Sequence, residues 1–380
     1  MDSSSDTSGD AEQLYRAGLA ANGARDRDDA IQKFSACVRL NPDHALAHQE
    51  LGWLNYFWKL DLERAASHLR RAVELDDTLG RAHLYLGIVL NRLRHADKAE
   101  SHFGLALLYM KDLALAHATF AEEFLWHGGR YDEAEEHFKI ALSIDPDCTL
   151  ARRDYARMLG SLGREDEAER LFLEALQDDE NSVWTNYWYA QFLSECKGRE
   201  AESEQFYQRS LSIDPNQLSS LTHYGILLLK LSRMSEAESF VRRALEVDDR
   251  YADAWMALGM ILASSDEQSE EAERAFLAGL RHEPENTNLL LEYGDFLLDH
   301  SPQRLQEALI HLGKAVELSP RRPYAYLLYG AALSRVPGRE EDAELYLGVA
   351  LGMELDEEGA GYARCLLDSL HRRRSQSDST

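Results

Sequence analysis

Tyr131-Asp-Glu-Ala134-Glu-Glu-His-Phe138-Lys-Ile-Ala141-Leu-Ser-Ile-Asp-Pro146 decides how the rest of the chain is read. Ala134, Phe138 and Ala141 stand four and three residues apart, which puts them on one stripe of an α-helix. Pro146 stops that helix five residues later. Close copies of the stripe are Ala30/Phe34/Cys37/Pro42, Ala99/Phe103/Ala106, Ala168/Phe172/Ala175 and Ala237/Val241/Ala244. Looser ones are Ala65/Leu69/Ala72, Ser203/Tyr207/Ser210/Pro215, Ala272/Phe276/Gly279/Pro284, Ala308/Leu312/Ala315/Pro320 and Ala343/Leu347/Ala350. Ten copies at intervals of 34–36 residues predict a helical solenoid, in which each unit buries its apolar face against its neighbours.

Upstream of each stripe lies a second helical segment with a small residue near its middle. It is Gly18, Gly52, Gly87, Gly225, Gly259, Gly294 or Gly330 in seven copies and Ala156 or Ala190 in two; in the fourth, Glu122 breaks the rule. Small residues let two helix backbones approach, which offsets the intrinsic helix cost of Gly, about 1 kcal/mol. Gly129-Arg130, Gly163-Arg164, Gly198-Arg199 and Gly338-Arg339 fall between the paired helices, as C-terminal caps do. Asp145-Pro146, Asp214-Pro215, Glu283-Pro284 and Ser319-Pro320 fall between repeats.

These residues resemble the tetratricopeptide repeat family. Trp255, Leu258 and Gly259 match its W-x2-L-G element, and Ala134, Phe138, Ala141 and Pro146 match its A-x3-F-x2-A-x4-P element. The resemblance covers residues 11–355 and implies an all-α, right-handed superhelical solenoid of stacked antiparallel helix pairs, with the first helices lining the concave side. The expected organisation is a disordered acidic, Ser-rich segment 1–10, ten repeats over 11–355 as one domain, a capping helix 356–371 and a disordered tail 372–380. Tyr362, Cys365, Leu366 and Leu370 are the expected buried face of the cap.

The chain has 380 residues, 44% of them hydrophobic, and a formal charge of −26. That balance argues against nucleic acid and against an anionic membrane surface as partners. No apolar run reaches the ~18 residues of a membrane span. Cys37, Cys148, Cys196 and Cys365 are scattered with no C-x2-C pair, and Cys37 and Cys365 are expected as reduced core thiols, so a cytoplasmic or nuclear setting is expected.

No phosphate-binding, dinucleotide-binding, nucleophile-elbow or H-E-x2-H motif occurs, so no enzyme, cofactor or metal is expected. His44 and His48 stand four apart without a third ligand and are expected in packing. The resemblance implies a groove lined by positions six, three and two before the small residue and one, four and five after it. In this sequence those are Trp53, Tyr56, Phe57, Tyr85, Phe120, Trp126, Trp184, Tyr187 and Trp188, interleaved with Glu50, Arg92, Glu123, His127, Arg153, Arg157 and Gln191. The later repeats carry an acidic strip instead, Asp253, Glu292, Asp295 and Asp299. The carboxylate-clamp pattern of chaperone-binding members is matched by no three successive repeats. The function expected is a non-catalytic scaffold for protein or peptide partners with apolar, aromatic and basic segments, with self-association a further use of the same surfaces. The alternative is a regulatory or substrate-recognition subunit of an enzyme complex.

Overall fold

A computed structural model describes residues 3–59, 61–353 and 355–377. The described residues form 21 α-helices, one π-helical and two 3-10 segments, and no strand. They fall into two compact units, Met1–Thr185 and Asn186–Thr380, where the sequence predicted one domain. A solenoid has no common centre, only neighbour-to-neighbour interfaces, so the chain has no single core shared by all repeats.

The first unit holds α1 (Ser3–Gly23), α2 (Arg27–Leu40), α3 (Ala45–Phe57), α4 (Leu62–Leu75), α5 (Gly80–Arg92), α6 (Ala96–Tyr109), α7 (Leu113–Phe120), α8 (Tyr131–Ile144), α9 (Thr149–Ser161) and α10 (Glu165–Asp178). Helix α11 (Val183–Glu195) straddles the division. The second unit continues with α12 (Glu200–Ile213), α13 (Leu218–Lys230), α14 (Met234–Val247), α15 (Ala252–Ala263), α16 (Ser269–His282), α17 (Thr287–His300), α18 (Leu305–Leu318), α19 (Pro323–Leu333), α20 (Glu340–Gly352) and α21 (Glu357–Ser377). Each repeat is one pair, an odd-numbered helix followed by an even-numbered one.

The stripe of each even-numbered helix is buried. Phe34, Phe103, Phe138 and Phe172 in the first unit, and Tyr207, Val241 and Phe276 in the second, are at most 1% exposed. Burying one such side chain stabilises by roughly 1.5–3 kcal/mol. The central glycines sit against these residues; a Cβ on Gly259 would lie 2.7 Å from the Phe276 ring. Gly129, Gly163, Gly198 and Gly338 adopt φ of 72–82°, and Arg25, Arg94 and Ser232 take φ of 60–64° at the same place in their repeats.

Glu122 is not the central residue of the fourth repeat. Counting forward from Ala106 the small position is Ala121, which is fully buried. Counting back from Ala134 it is Glu122. The structure resolves the mismatch by winding Ala121–Trp126 as a π-helix, whose wider turn absorbs one extra residue. Asn91 of α5 donates from Nδ2 to the Glu123 carbonyl at 2.7 Å. The small-residue rule therefore holds in this repeat too.

An arginine before an even-numbered helix carries a recurring contact of its own: Arg130 binds Glu133 and Glu100, and three later clusters add a tyrosine. Arg164 binds Glu167 at 2.8 Å and Glu135 at 2.6 Å, and Tyr155 donates to Glu135 at 2.7 Å. Arg233, Glu236, Glu204 and Tyr224 repeat the arrangement, as do Arg304, Glu307, Glu273 and Tyr293. Each cluster ties one even-numbered helix to the next through a guanidinium, and Arg164 holds the Glu135 carboxyl down at about 2.

The termini differ from expectation. Helix α1 begins at Ser3, so residues 3–10 are helical rather than disordered, and short Ser, Thr and Asp side chains suit a helix N-terminus. Met1, Asp2 and the last three positions of the expected tail lie outside the described residues. Helix α21 runs on to Ser377 through the basic run His371-Arg372-Arg373-Arg374, which favours a helix C-terminal region. Its buried face is Ala363 and Leu370, with Leu366 and Leu367 partly buried. Tyr362 and Cys365 are exposed, so the expected face is rotated; Cys37 is buried as expected.

Candidate functional site

In the first unit, Trp53 of α3 is the centre of an aromatic shelf. Its ring stacks on Tyr85 of α5 at 4.4 Å and on Phe57 at 5.2 Å, with Tyr56 tilted against it at 5.7 Å. Trp53, Tyr56 and Tyr85 are half-buried, and Phe57 is 49% exposed. Helical spacing places Trp53, Tyr56 and Phe57 on one face, and the neighbouring repeat brings Tyr85 to it. Burial pushes the Tyr85 hydroxyl up to about 12. Glu50, one helical turn before Trp53, is also raised by burial.

The shelf continues into a charged patch around the π-helix. Arg92 donates to Glu123 at 2.8 Å and shares a hydrogen bond with Tyr56. Arg153 clamps Asp154 through two bonds of 2.9 Å, and Arg157 reaches Asp154 at 3.0 Å and Glu122 at 3.3 Å. The Arg157 guanidinium also lies 5.1 Å from the Trp126 ring centre, a cation–π contact. Burial, and then the charges of Glu123 and Asp154, push the Glu122 carboxyl upward. The π-turn is the cause of this gathering: it moves Glu122 and Glu123 one position around the helix relative to a regular repeat. Asp154, 3% exposed, is the organising residue that the sequence reading missed. Its signal was an acid between Arg153 and Arg157 on a face otherwise apolar.

Not every candidate is on this surface. Phe120 is 7% exposed and stacks on Phe103 at 5.1 Å, so it belongs to the core. The one-residue shift of register explains the difference. His127 is exposed and its Nδ1 lies 2.5 Å from the Glu122 carbonyl, and Trp184 is 48% exposed.

In the second unit, Tyr187 is 3% exposed and packs edge-on to His223 at 5.5 Å, and is likewise core. Trp188 is partly buried against that core, 4.7 Å from Tyr187. Gln191 hydrogen-bonds Glu195, and its Oε1 is buried with no partner among the described residues. The acidic positions are on α15 and α17. Asp253 accepts from Asn286 at 3.2 Å, and Asp299 pairs with Arg335 at 3.7 Å. Burial raises Glu292 to about 7 and Asp295 to about 6, each helped by a neighbouring carboxylate. Among the described residues no group of three or more His, Cys, Asp or Glu is placed to hold a metal. No described helix is long and apolar enough to cross a membrane.

Comparison with known proteins bears on this arrangement. Residues 153–281 match the family model of the cilia and flagella-associated protein 70 middle TPR-like domain, and residues 262–325 match that of the tetratricopeptide repeat. The human mitochondrial import receptor subunit TOM70 is 28% identical over 89 residues, 23% of this chain and 15% of that protein. The chain therefore spans well under two thirds of that relative. A tetratricopeptide repeat protein from Parabacteroides merdae superposes with a TM-score of 0.50 at 19% identity, covering 68% of this chain and 98% of that one. The yeast Tom70 crystal structure gives a TM-score of 0.48 at 16% identity, covering 97% of this chain and 89% of that one.

Proposed function

From the premise that this chain is a tetratricopeptide-repeat protein, we propose that it is a non-catalytic interaction scaffold whose odd-numbered helices form the partner-binding face. The aromatic shelf of Trp53, Tyr85 and Phe57 carries this reading. Three stacked rings that remain partly open to solvent form a flat apolar platform, and beside it Arg92, Arg153 and Arg157 are already oriented by carboxylates. Aromatic and Arg side chains of this kind dominate binding energy at interfaces, about 2 kcal/mol or more for a central one. Their orientation by neighbours lowers the ordering cost of binding. A partner with an apolar or aromatic segment fits the shelf, and a basic segment fits the strip of Asp253, Glu292, Asp295 and Asp299. A cytoplasmic setting agrees with the reduced cysteines.

The test is quantitative affinity purification of the full chain against Trp53/Trp126/Trp188→Ala, with thermal unfolding run beside it. Partners lost from a variant that still melts cooperatively would identify the ligands of this face. An unchanged set of partners from a folded variant would remove the odd-numbered helices as the binding face.

A further inference from the structure

Three consecutive repeats of the first unit carry the same pair of histidines, one on each helix. The Nδ1 atoms of His48 (α3) and His68 (α4) lie 3.0 Å apart, those of His83 (α5) and His102 (α6) 2.9 Å, and those of His117 (α7) and His137 (α8) 2.9 Å. The first of each pair stands four residues before Gly52, Gly87 or Ala121, and the second three residues after Ala65, Ala99 or Ala134. One contact is thus repeated at one place in each hairpin. Backbone carbonyls fix where the protons are. His48 donates from Nε2 to the Pro42 carbonyl at 3.1 Å, and His83 from Nε2 to the Asp77 carbonyl at 3.0 Å. A neutral imidazole has one N–H, so Nδ1 of these two rings is a bare acceptor. His68 and His102 must then supply the shared proton.

We propose that the three pairs are an acid-sensitive latch on the first unit: with at least one ring neutral each pair joins its two helices, and once both rings are protonated every ring nitrogen carries hydrogen, so two N–H groups face each other and the pair opens. The inference stands apart from the partner-binding reading. Arg71, His44 and Asp43 face His48, and Arg64 faces His68. Arg70 faces His102, and the Tyr109 ring lies over His83 at 6.2 Å. Glu136, Glu133 and Arg130 face His137, and the Phe120 ring meets it edge-on at 5.0 Å. The arginines oppose protonation; the Pro42 carbonyl and Asp43 favour it at His48, and the glutamates favour it at His137.

Burial holds His68 and His102 down at about 4, and lowers His48, His117 and His137 as well. Because the folded values lie below the ordinary 6.5, the unfolded chain binds more protons between those limits. The stabilisation carried by His68 and His102 is whole above about pH 6.5 and is lost as pH falls towards about 4, opening becoming up to about tenfold easier per pH unit for each of these two rings. Glu122, raised by burial, has the opposite sign and does not weaken the unit on acidification.

The experiment is hydrogen exchange read by mass spectrometry on the full chain at pH 7.5, 6.0 and 5.0, corrected for intrinsic rates, with α14–α16 of the second unit as internal reference. It is repeated on His68/His102/His137→Asn, whose amides donate to the same Nδ1 atoms and can turn their oxygens to accept from a protonated ring. Expected is a loss of protection of tenfold or more in α3–α8 of the wild type at pH 5.0, absent from the variant. Protection that follows α14–α16, or an equal loss in the variant, would overturn the latch. If the triple variant does not fold, His102→Asn alone decides by the same criterion in α5 and α6.

Discussion

A side chain held at positive φ costs about 1 kcal/mol, and seven of the turns inside repeats use that conformation. Four of them place Gly there, and three place Arg25, Arg94 or Ser232. Ser232→Gly is therefore expected to raise stability by about 0.5–1 kcal/mol, and Gly163→Ala to lower it by about 1 kcal/mol, both measured by urea unfolding. Gly259 answers to a different constraint. An added Cβ would meet the Phe276 ring at 2.7 Å, so Gly259→Ala is expected to cost roughly 1–3 kcal/mol in the same assay. Both kinds of glycine were legible as sequence spacing, because the turn and the close approach each involve residues fixed by the hairpin itself. The left-handed Arg25 and Arg94 were not, since no side chain announces that conformation.

At the scale of the element, the π-helix is the informative departure. The forward count to Ala121 and the backward count to Glu122 differ by one residue, and that disagreement is readable before any coordinates. What it does not disclose is where the extra residue goes. A residue added between the paired helices would have left Glu122 and Glu123 in their regular places; wound into the helix, it turns them towards Arg157 and Arg92. Asn91→Ala would remove the donor to the Glu123 carbonyl and is expected to cost about 1 kcal/mol or more, with faster amide exchange across 121–126. Unchanged exchange would show that the π-turn needs no support from α5. The tyrosine that joins these guanidinium clusters recurs at twice the simple repeat, with Tyr155, Tyr224 and Tyr293 each 69 residues apart. A reading tuned to one hairpin passes over a signal carried by two.

For the whole molecule, charge and titration set the expectations. Glu292 and Asp295 are raised to about 7 and about 6 by burial, so their contribution to stability is whole at acidic pH and is lost as pH rises through those values. The second unit is expected to lose protection in α17 between about pH 4 and 7, on the order of 1–2 kcal/mol, and Glu292→Gln to flatten that loss in hydrogen exchange. The formal charge of −26 makes the compact state repel itself, while the exposed ion pairs contribute only about 0–1 kcal/mol each. Raising NaCl from low to physiological concentration is therefore expected to raise the thermal midpoint; a fall would mean that the Arg–Glu clusters outweigh the net charge.

The sequence by itself determined the helical hairpins, their number, the residues of each stripe and the glycines against which they pack. Those features depend on helix periodicity and on contacts within one hairpin, which are set by a few tens of residues. Tertiary structure alone decided that Phe120 and Tyr187 are core while Trp53 and Trp184 meet solvent, that Tyr362 and Cys365 turn outward, and that six histidines meet in three pairs. Spacing says which side of a helix a residue occupies. Whether that side is covered depends on the stacking of the next repeat and, in the fourth, on a single residue absorbed by a π-turn.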